Sequence, residues 1–196
     1  MKEVVKLMDY RPDIKIVDAT LRDGGLVNNF RFTDEFVKDL YQTNIKAGVD
    51  VMEFGYKADK EMFDVKDFGK WKFCDDEDIR AVVGDNNTDL KIAVMADVGR
   101  CNYKQDIKPR AESPVDVIRV ATYINQIPAA VDVIEDAVAK GYEVTCNIMA
   151  ISNAQEADIR VALDLLGKSP VNVIYIVDSF GALFPEQIAR IAALYG

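Results

Sequence analysis

The sequence predicts an α/β fold built on one parallel sheet, because strand-like and helix-like segments alternate along the whole chain. Runs rich in valine and isoleucine predict six strands, at residues 14–17, 49–54, 90–95, 115–120, 143–148 and 171–177. Helical patterns lie between them, at residues 33–47, within 77–83, and at 124–140, 155–166 and 185–194. The chain has 196 residues and is 49% hydrophobic, so we expect one domain over residues 1–196.

The boundaries of several helices follow from the sequence. Thr33 precedes the first predicted helix as a capping residue, and Gly48 lies just after its last residue. In residues 124–140, apolar side chains recur three and four positions apart, which predicts a helix with one buried face. Pro185 followed by Glu186 is typical of a helix start. These signals support the alternation of strands and helices.

Charge and composition exclude several classes of partner. The net charge is −9 and the pI is about 4.6, which argues against nucleic acid and anionic membrane surfaces as partners. No segment approaches the roughly 20 apolar residues of a membrane helix, and residues 1–11 carry both signs of charge, unlike a signal peptide. We therefore expect a cytoplasmic protein.

The three cysteines, Cys74, Cys101 and Cys146, are far apart and form no C-x-x-C pair. Neither a disulfide framework nor a zinc cluster is predicted, and reduced thiols are expected. A nucleophilic cysteine normally needs a neighbouring base. The chain contains no histidine to serve as one.

The most informative segment is residues 14–25, in which an apolar strand is predicted to end in Arg22, Asp23, Gly24 and Gly25. Polar residues collect where a buried parallel strand leaves the sheet, and glycine lets the backbone turn close to a ligand. An arginine beside an aspartate can hold an anionic oxygen and a divalent cation. An ion pair at a surface loop is the alternative that these residues leave open.

The motif in that segment, Asp-x-Thr-Leu-Arg-Asp-Gly over residues 18–24, resembles the motif of a superfamily of metal-dependent aldolases and lyases. The superfamily includes 4-hydroxy-2-oxovalerate aldolase, hydroxymethylglutaryl-CoA lyase and isopropylmalate synthase. The resemblance continues through residues 33–55 and 173–182. Residues 177–182, Val-Asp-Ser-Phe-Gly-Ala, precede an amphipathic helix and are most similar to the 4-hydroxy-2-oxovalerate aldolase branch.

The resemblance implies a TIM (β/α)₈ barrel, of which about six of the eight βα units are present. In the family, a seventh strand carries a His-x-His pair that completes the metal site, and this chain has no histidine. We therefore expect a fragment or truncated form of a longer protein. Residues 57–87 are expected to form an elaborated loop and helix that covers the site or contacts another subunit. Open sheet edges predict a homo-oligomer.

The resemblance also assigns roles to residues. Arg22 and Glu53 are the predicted catalytic residues, with Arg22 donating to an enolate oxygen and Glu53 binding Arg22 or a metal-bound water. Asp23 is the predicted ligand of a divalent metal ion, Mg²⁺ or Mn²⁺. Further residues near predicted strand ends are candidates for substrate binding: Arg119, Asn147, Asp178 and Ser179. Helix capping by Asp178, and an ion pair of Arg119 with an acid inside the barrel mouth, are the structural alternatives.

The catalytic base is unassigned. The 4-hydroxy-2-oxovalerate aldolases carry a histidine shortly after the arginine and aspartate, where this chain has Gly-Leu-Val-Asn-Asn at residues 25–29. Asn28 and Asn29 either orient a substrate hydroxyl or a water, or stabilise a turn. Tyr123 is a candidate proton donor or a packed aromatic residue.

The function that the resemblance implies is a carbon-carbon lyase. It would cleave a 4-hydroxy-2-oxo acid to pyruvate and an aldehyde through a metal-stabilised enolate. One alternative is a Claisen-type synthase or acyl-CoA lyase on the same barrel. The other is a non-catalytic barrel remnant that binds a partner through its open edges.

Overall fold

The computed structural model describes residues 11–196, and these residues form one sheet of six parallel strands. Each strand pairs with the next in chain order, so the sheet curls as a partial TIM barrel. The strands are β1 (Val17–Asp18), β2 (Val51–Tyr56), β3 (Lys91–Asp97), β4 (Val117–Tyr123), β5 (Glu143–Met149) and β6 (Val173–Ile176). The predicted α/β class and the six strands are confirmed.

Helices follow the strands and cover the outer face of the sheet. Thr33 caps the second helix as predicted, since its Oγ1 accepts a hydrogen bond of 3.2 Å from the backbone N–H of Phe36. Gly48 ends that helix with a φ of 72°, a left-handed conformation that favours glycine. The helices are α1 (Thr20–Asn28), α2 (Asp34–Ala47), α3 (Asp76–Val83), α4 (Tyr103–Asp106), α5 (Ile127–Ala139), α6 (Glu156–Gly167) and α7 (Pro185–Tyr195).

The first strand and the turn after it differ from the prediction. The strand is only Val17–Asp18, and Ile14 and Ile16 are exposed. The residues predicted to form a loop at the strand exit instead form α1, so Arg22 and Asp23 lie in the first turns of a helix. Tertiary contacts explain this helix, because its Leu21 and Gly25 are buried against the rest of the fold.

Gly25 has a packing role rather than the predicted close approach to a ligand. A Cβ atom at this position would lie 2.2 Å from Cδ1 of Phe30, closer than any real contact. The backbone of Asn29 and Phe30 is left-handed, which turns the chain back so that the Phe30 ring lies on Gly25. The side-chain amide of Asn28 donates to the carbonyl of Arg31 at 3.2 Å, so Asn28 stabilises this turn.

The predicted insertion, residues 57–87, contains a short 3₁₀ helix (Lys70–Lys72) and α3. Trp71 and Cys74 are fully buried in the main core. Gly69 is wedged against the backbone of Phe30, where a Cβ would lie 2.0 Å from the carbonyl oxygen. This segment is therefore packed onto the barrel near α1.

The core is concentrated in β2 to β5, whose outward-facing side chains pack on the helices. By contrast, α7 has no buried residue, and Phe180 and Phe184 before it are largely exposed. Within residues 11–196, no helix is long and apolar enough to cross a membrane.

Candidate active site at the carboxyl ends of the strands

A buried carboxylate, Glu53, is the centre of the candidate site. It lies on β2, has no solvent exposure, and its Oε2 accepts hydrogen bonds from two guanidinium groups. Nε of Arg22 is 2.8 Å away and Nη1 of Arg119 is 2.7 Å away. The structure thus brings together two residues predicted as catalytic and one predicted to bind substrate.

Arg22 reaches the barrel mouth from α1 and bridges two carboxylates. Besides Glu53, it donates from Nη1 to Oδ1 of Asp23 at 2.7 Å. Its side chain is 19% exposed and that of Asp23 is 68% exposed, so both are open to a ligand. Burial by itself lowers the pKa of Arg22, but the charge and hydrogen bond of Glu53 outweigh this and raise it. Arg22 is a fixed cation.

Arg119, on β4, is almost completely buried and makes three contacts inside the barrel. In addition to Glu53, its Nη2 donates to Oδ1 of Asn147 at 3.1 Å, and its guanidinium carbon lies 4.9 Å from the ring centre of Tyr175. Oε1 of Glu53 and Nε of Arg119 are both sealed from solvent without a hydrogen-bond partner. This arrangement fixes Arg119 as the inner support of Glu53, matching its predicted structural alternative.

Asp18 and Thr20 shape the exit of β1. Oδ1 of Asp18 accepts from the hydroxyl of Thr20 at 2.6 Å, and its Oδ2 accepts from the side-chain amide of Asn44 at 3.0 Å. The aspartate of the motif is therefore committed to orienting the start of α1 against α2.

Asp178 and Ser179 lie in the loop after β6, and both are used by that loop. Oδ2 of Asp178 accepts from the backbone N–H of Leu183 at 2.8 Å, and the Ser179 hydroxyl accepts from the backbone N–H of Ala150 at 2.9 Å. Among the residues described, neither side chain forms a hydrogen bond or ion pair with the Glu53 cluster. Their predicted binding of substrate stays a prediction.

Three further residues of the mouth escaped the sequence analysis: Tyr56, Lys72 and Asp97. Tyr56 ends β2, and Lys72 Nζ lies 4.6 Å from its ring centre. Burial raises the pKa of Tyr56, and the neighbouring Arg22 guanidinium offsets part of that increase. Asp97 ends β3, where burial raises its pKa. A polar residue at a strand exit was the signal available for Asp97. No comparable signal marked Lys72.

The described residues do not assemble the predicted metal centre. Residues 11–196 contain no group of three or more histidine, cysteine, aspartate or glutamate side chains placed to hold an ion. Asp23 offers a carboxylate at the mouth, but its Oδ1 is bound by Arg22. Mg²⁺ is usually held by one or two carboxylates, with waters and substrate oxygens as its other ligands, so Asp23 by itself would be a partial site.

Burial, rather than activation, characterises the three cysteines. All three are free thiols. Burial raises the pKa of Cys101 and Cys146 to about 12 and raises that of Cys74 further. A thiolate nucleophile is therefore unfavourable at each position.

Sequence comparisons find relatives along most of the chain. A 4-hydroxy-2-oxovalerate aldolase of Pelotomaculum thermopropionicum is 27% identical over 180 residues, covering 91% of this chain and 52% of the relative. One from Rhodococcus jostii is 27% identical over 179 residues, covering 91% and 50%. The chain thus spans about half the length of the curated relatives it matches. No protein-family profile matches it.

Solved structures share the fold. The N-terminal domain of a candidate aldolase from Bacteroides vulgatus matches with a TM-score of 0.72 and 24% identity, covering 93% of this chain and 60% of that one. The HMG-CoA lyase of Brucella melitensis matches with a TM-score of 0.62 and 15% identity, covering 93% and 67%.

The resemblance that the motif predicted is confirmed by the sequence relatives, and the solved structures show a shared partial-barrel fold. Within the superfamily, the sequence relatives carry the name 4-hydroxy-2-oxovalerate aldolase, the branch to which the motif pointed.

Proposed function

We propose that the protein to which this chain belongs cleaves a 4-hydroxy-2-oxo acid to pyruvate and an aldehyde. The observation that carries the proposal is the placement of Arg22. Glu53 fixes its guanidinium at the mouth of the barrel, and part of the side chain is accessible from outside. The names of the sequence relatives support the same chemistry.

Arg22 supplies a fixed positive charge that can stabilise the enolate formed in this reaction. Cleavage next to a 2-oxo group passes through an enolate, and the negative charge builds on the oxygen of carbon 2. A fixed guanidinium that does not reorganise during the reaction stabilises that charge more than water does. Glu53 and Arg119 are positioning residues, because they hold Arg22 without reaching the surface themselves.

Superfamily resemblance suggests Mg²⁺ or Mn²⁺ as cofactor, with Asp23 as one ligand. Residues 11–196 do not complete such a site, since they place no group of three or more ligand side chains together. When bound, a divalent cation would supply additional positive charge for the enolate. Titration with Mn²⁺ of the wild type and Asp23→Asn, followed by calorimetry, tests whether Asp23 takes part in binding.

The test of the function is exchange of the pyruvate methyl protons in D₂O, followed by proton NMR with Mg²⁺ or Mn²⁺ present. We expect the wild type to catalyse exchange and Arg22→Met to be slower by about 10²- to 10³-fold. The matched control is Arg160→Met, which removes an exposed arginine from α6 and should keep the full rate. Parallel samples contain an acyl-CoA thioester in place of pyruvate.

Exchange of the acyl-CoA protons without exchange of pyruvate would favour the alternative synthase or acyl-CoA lyase reaction. If the wild type exchanges neither substrate, the catalytic proposal fails and the partner-binding alternative takes its place.

A further inference from the structure

Lys72 occupies an unusual position at the barrel mouth. Its Nζ lies close to the ring centres of four aromatic residues, at 4.4 Å from Phe63, 4.6 Å from Tyr56, 5.1 Å from Phe30 and 5.5 Å from Phe68. The residue is only 8% exposed. We call these four rings, together with Lys72, the aromatic cage.

Within the part of the chain that the structure describes, the Lys72 amine has neither a carboxylate within 4.0 Å nor a hydrogen-bond acceptor. Lys57 is a buried lysine with polar partners, as is usual for a buried ammonium. Its Nζ donates to Asp76 at 2.9 Å and to the carbonyl of Cys74 at 2.8 Å. A buried ammonium without a counter-charge is costly, and the aromatic rings offset only part of that cost. The residue keeps 8% of its surface exposed, so it is not completely sealed from solvent.

The aromatic cage adjoins the Glu53 cluster. Tyr56 is the residue shared by both, since its ring contacts Lys72 and the charge of Arg22 acts to lower the pKa of its hydroxyl against the effect of burial. Asp97, at the end of β3, and Arg100, in the turn after it, are the charged groups that act on Lys72. Burial lowers the pKa of the Lys72 amine, with Asp97 opposing and Arg100 reinforcing the change. The amine is thus easier to deprotonate than an ordinary lysine.

We propose that Lys72 is the general base of the cleavage reaction, a role that rests on the proposed function. Its neutral Nζ takes the proton of the hydroxyl on carbon 4. The O–H electrons form the aldehyde carbonyl, the bond between carbons 3 and 4 breaks, and its electrons become the enolate that Arg22 stabilises. The Lys72 ammonium then returns the proton to carbon 3, which gives pyruvate and restores the amine.

Two other charged groups of this region, Glu53 and Lys57, are already paired. Glu53 Oε2 is bound by two guanidinium groups, and Lys57 by Asp76. The side chain of Tyr123 is exposed at the end of β4. Asp97 lies 3.7 Å from Arg100. Among the described residues the Lys72 amine has no such partner, and its Nζ is 4.6 Å from the ring centre of Tyr56, the residue shared with the Glu53 cluster.

Pyruvate exchange in D₂O tests the proposal, because the reverse of the last step removes a methyl proton. Lys72→Met should lower kcat at least 100-fold with little change in KM, and added ethylamine should restore part of the rate. Lys66→Met, which removes an exposed lysine from the same segment, is the matched control. An active wild type with an equally active Lys72→Met variant overturns the role of Lys72 and leaves the proposed function standing. A wild type without exchange or cleavage overturns both.

A second readout does not depend on activity. A ¹⁵N NMR titration of the Lys72 side chain should give a midpoint below the ordinary lysine value of 10.5. A midpoint at or above that value would overturn the proposal even if Lys72→Met were inactive, since loss of activity would then reflect packing.

Discussion

Two neighbouring regions of the molecule surround a buried charged side chain with different partners. One contains the Glu53 carboxylate and the other the Lys72 ammonium. Around Glu53, the carboxylate is met by two guanidinium groups at 2.7 and 2.8 Å. Tyr56 lies three residues after Glu53 on β2, and its ring is one of those that surround the Lys72 ammonium. No carboxylate of the described residues pairs with that ammonium. The first arrangement holds its charges permanently, whereas the second leaves the amine able to lose its proton. The comparison distinguishes Glu53, which positions Arg22, from Lys72, which we propose takes part in the reaction.

The largest effect is expected from breaking the Glu53 cluster. Arg119→Met removes the inner guanidinium and should lower the free energy of unfolding by roughly 3–5 kcal/mol, because a buried carboxylate loses a partner. Urea denaturation measures this, with Arg160→Met as the exposed control. A loss below about 1 kcal/mol would mean that Arg22 alone can compensate Glu53.

The two buried lysines of the same segment give the most direct contrast. Lys57→Met leaves Asp76 buried beside Ser113 and should cost about 3 kcal/mol of unfolding free energy. Lys72→Met places an apolar chain among rings and should change it by less than about 1 kcal/mol. Equal losses in urea denaturation would contradict the distinction between a paired and an unpaired amine.

A change that displaces one ring of the aromatic cage without replacing Lys72 should have an intermediate effect on the free energy of unfolding. Gly25→Ala places a methyl group 2.2 Å from the Phe30 ring and should cost about 1–3 kcal/mol by overpacking. Displacement of Phe30 should also shift the Lys72 titration toward that of an exposed lysine. Gly24→Ala is the control, because its Cβ would meet only Phe32 at an ordinary 3.7 Å. Identical NMR titrations in both variants would show that Phe30 does not tune Lys72.

The smallest effect is the pH dependence of stability that Lys72 causes. Its folded pKa lies below the unfolded value of 10.5, so the folded state binds fewer protons in that interval and stability rises with pH. The wild type should therefore gain stability relative to Lys72→Met as the pH rises through the folded pKa toward 10.5. Urea denaturation at a series of pH values checks the sign, and a parallel pair of curves would contradict it.

The sequence predicted the central fold because β2 to β5 are buried on both faces, and such strands are continuous apolar runs. It singled out Arg22, Glu53 and Arg119, but it placed Glu53 and Arg119 at or near strand ends, whereas they lie inside β2 and β4 and meet Arg22 of α1 there. It was wrong about the loop after β1, where long-range packing of Leu21 and Phe30 produces a helix. Helix propensity alone does not favour a helix through Gly24 and Gly25.

Lys72 was not predictable because its environment is assembled from distant parts of the chain. Phe30 comes from the turn after α1, Tyr56 from β2, and Phe63 and Phe68 from the long segment between β2 and β3. No local pattern reports that four rings meet. The predicted self-association, the cytoplasmic location and the division of the chain into a barrel and an insertion stay predictions.

The central claim is that the Glu53 cluster and the aromatic cage serve one ligand. The most direct test is an NMR titration with oxalate, a planar dianion shaped like the enolate of pyruvate, observing the side-chain nitrogens of Arg22 and Lys72. Both signals should shift with the same dissociation constant, while that of the exposed Arg160 stays unchanged. A shift of Arg22 without Lys72, or no saturable shift at either, would contradict the account.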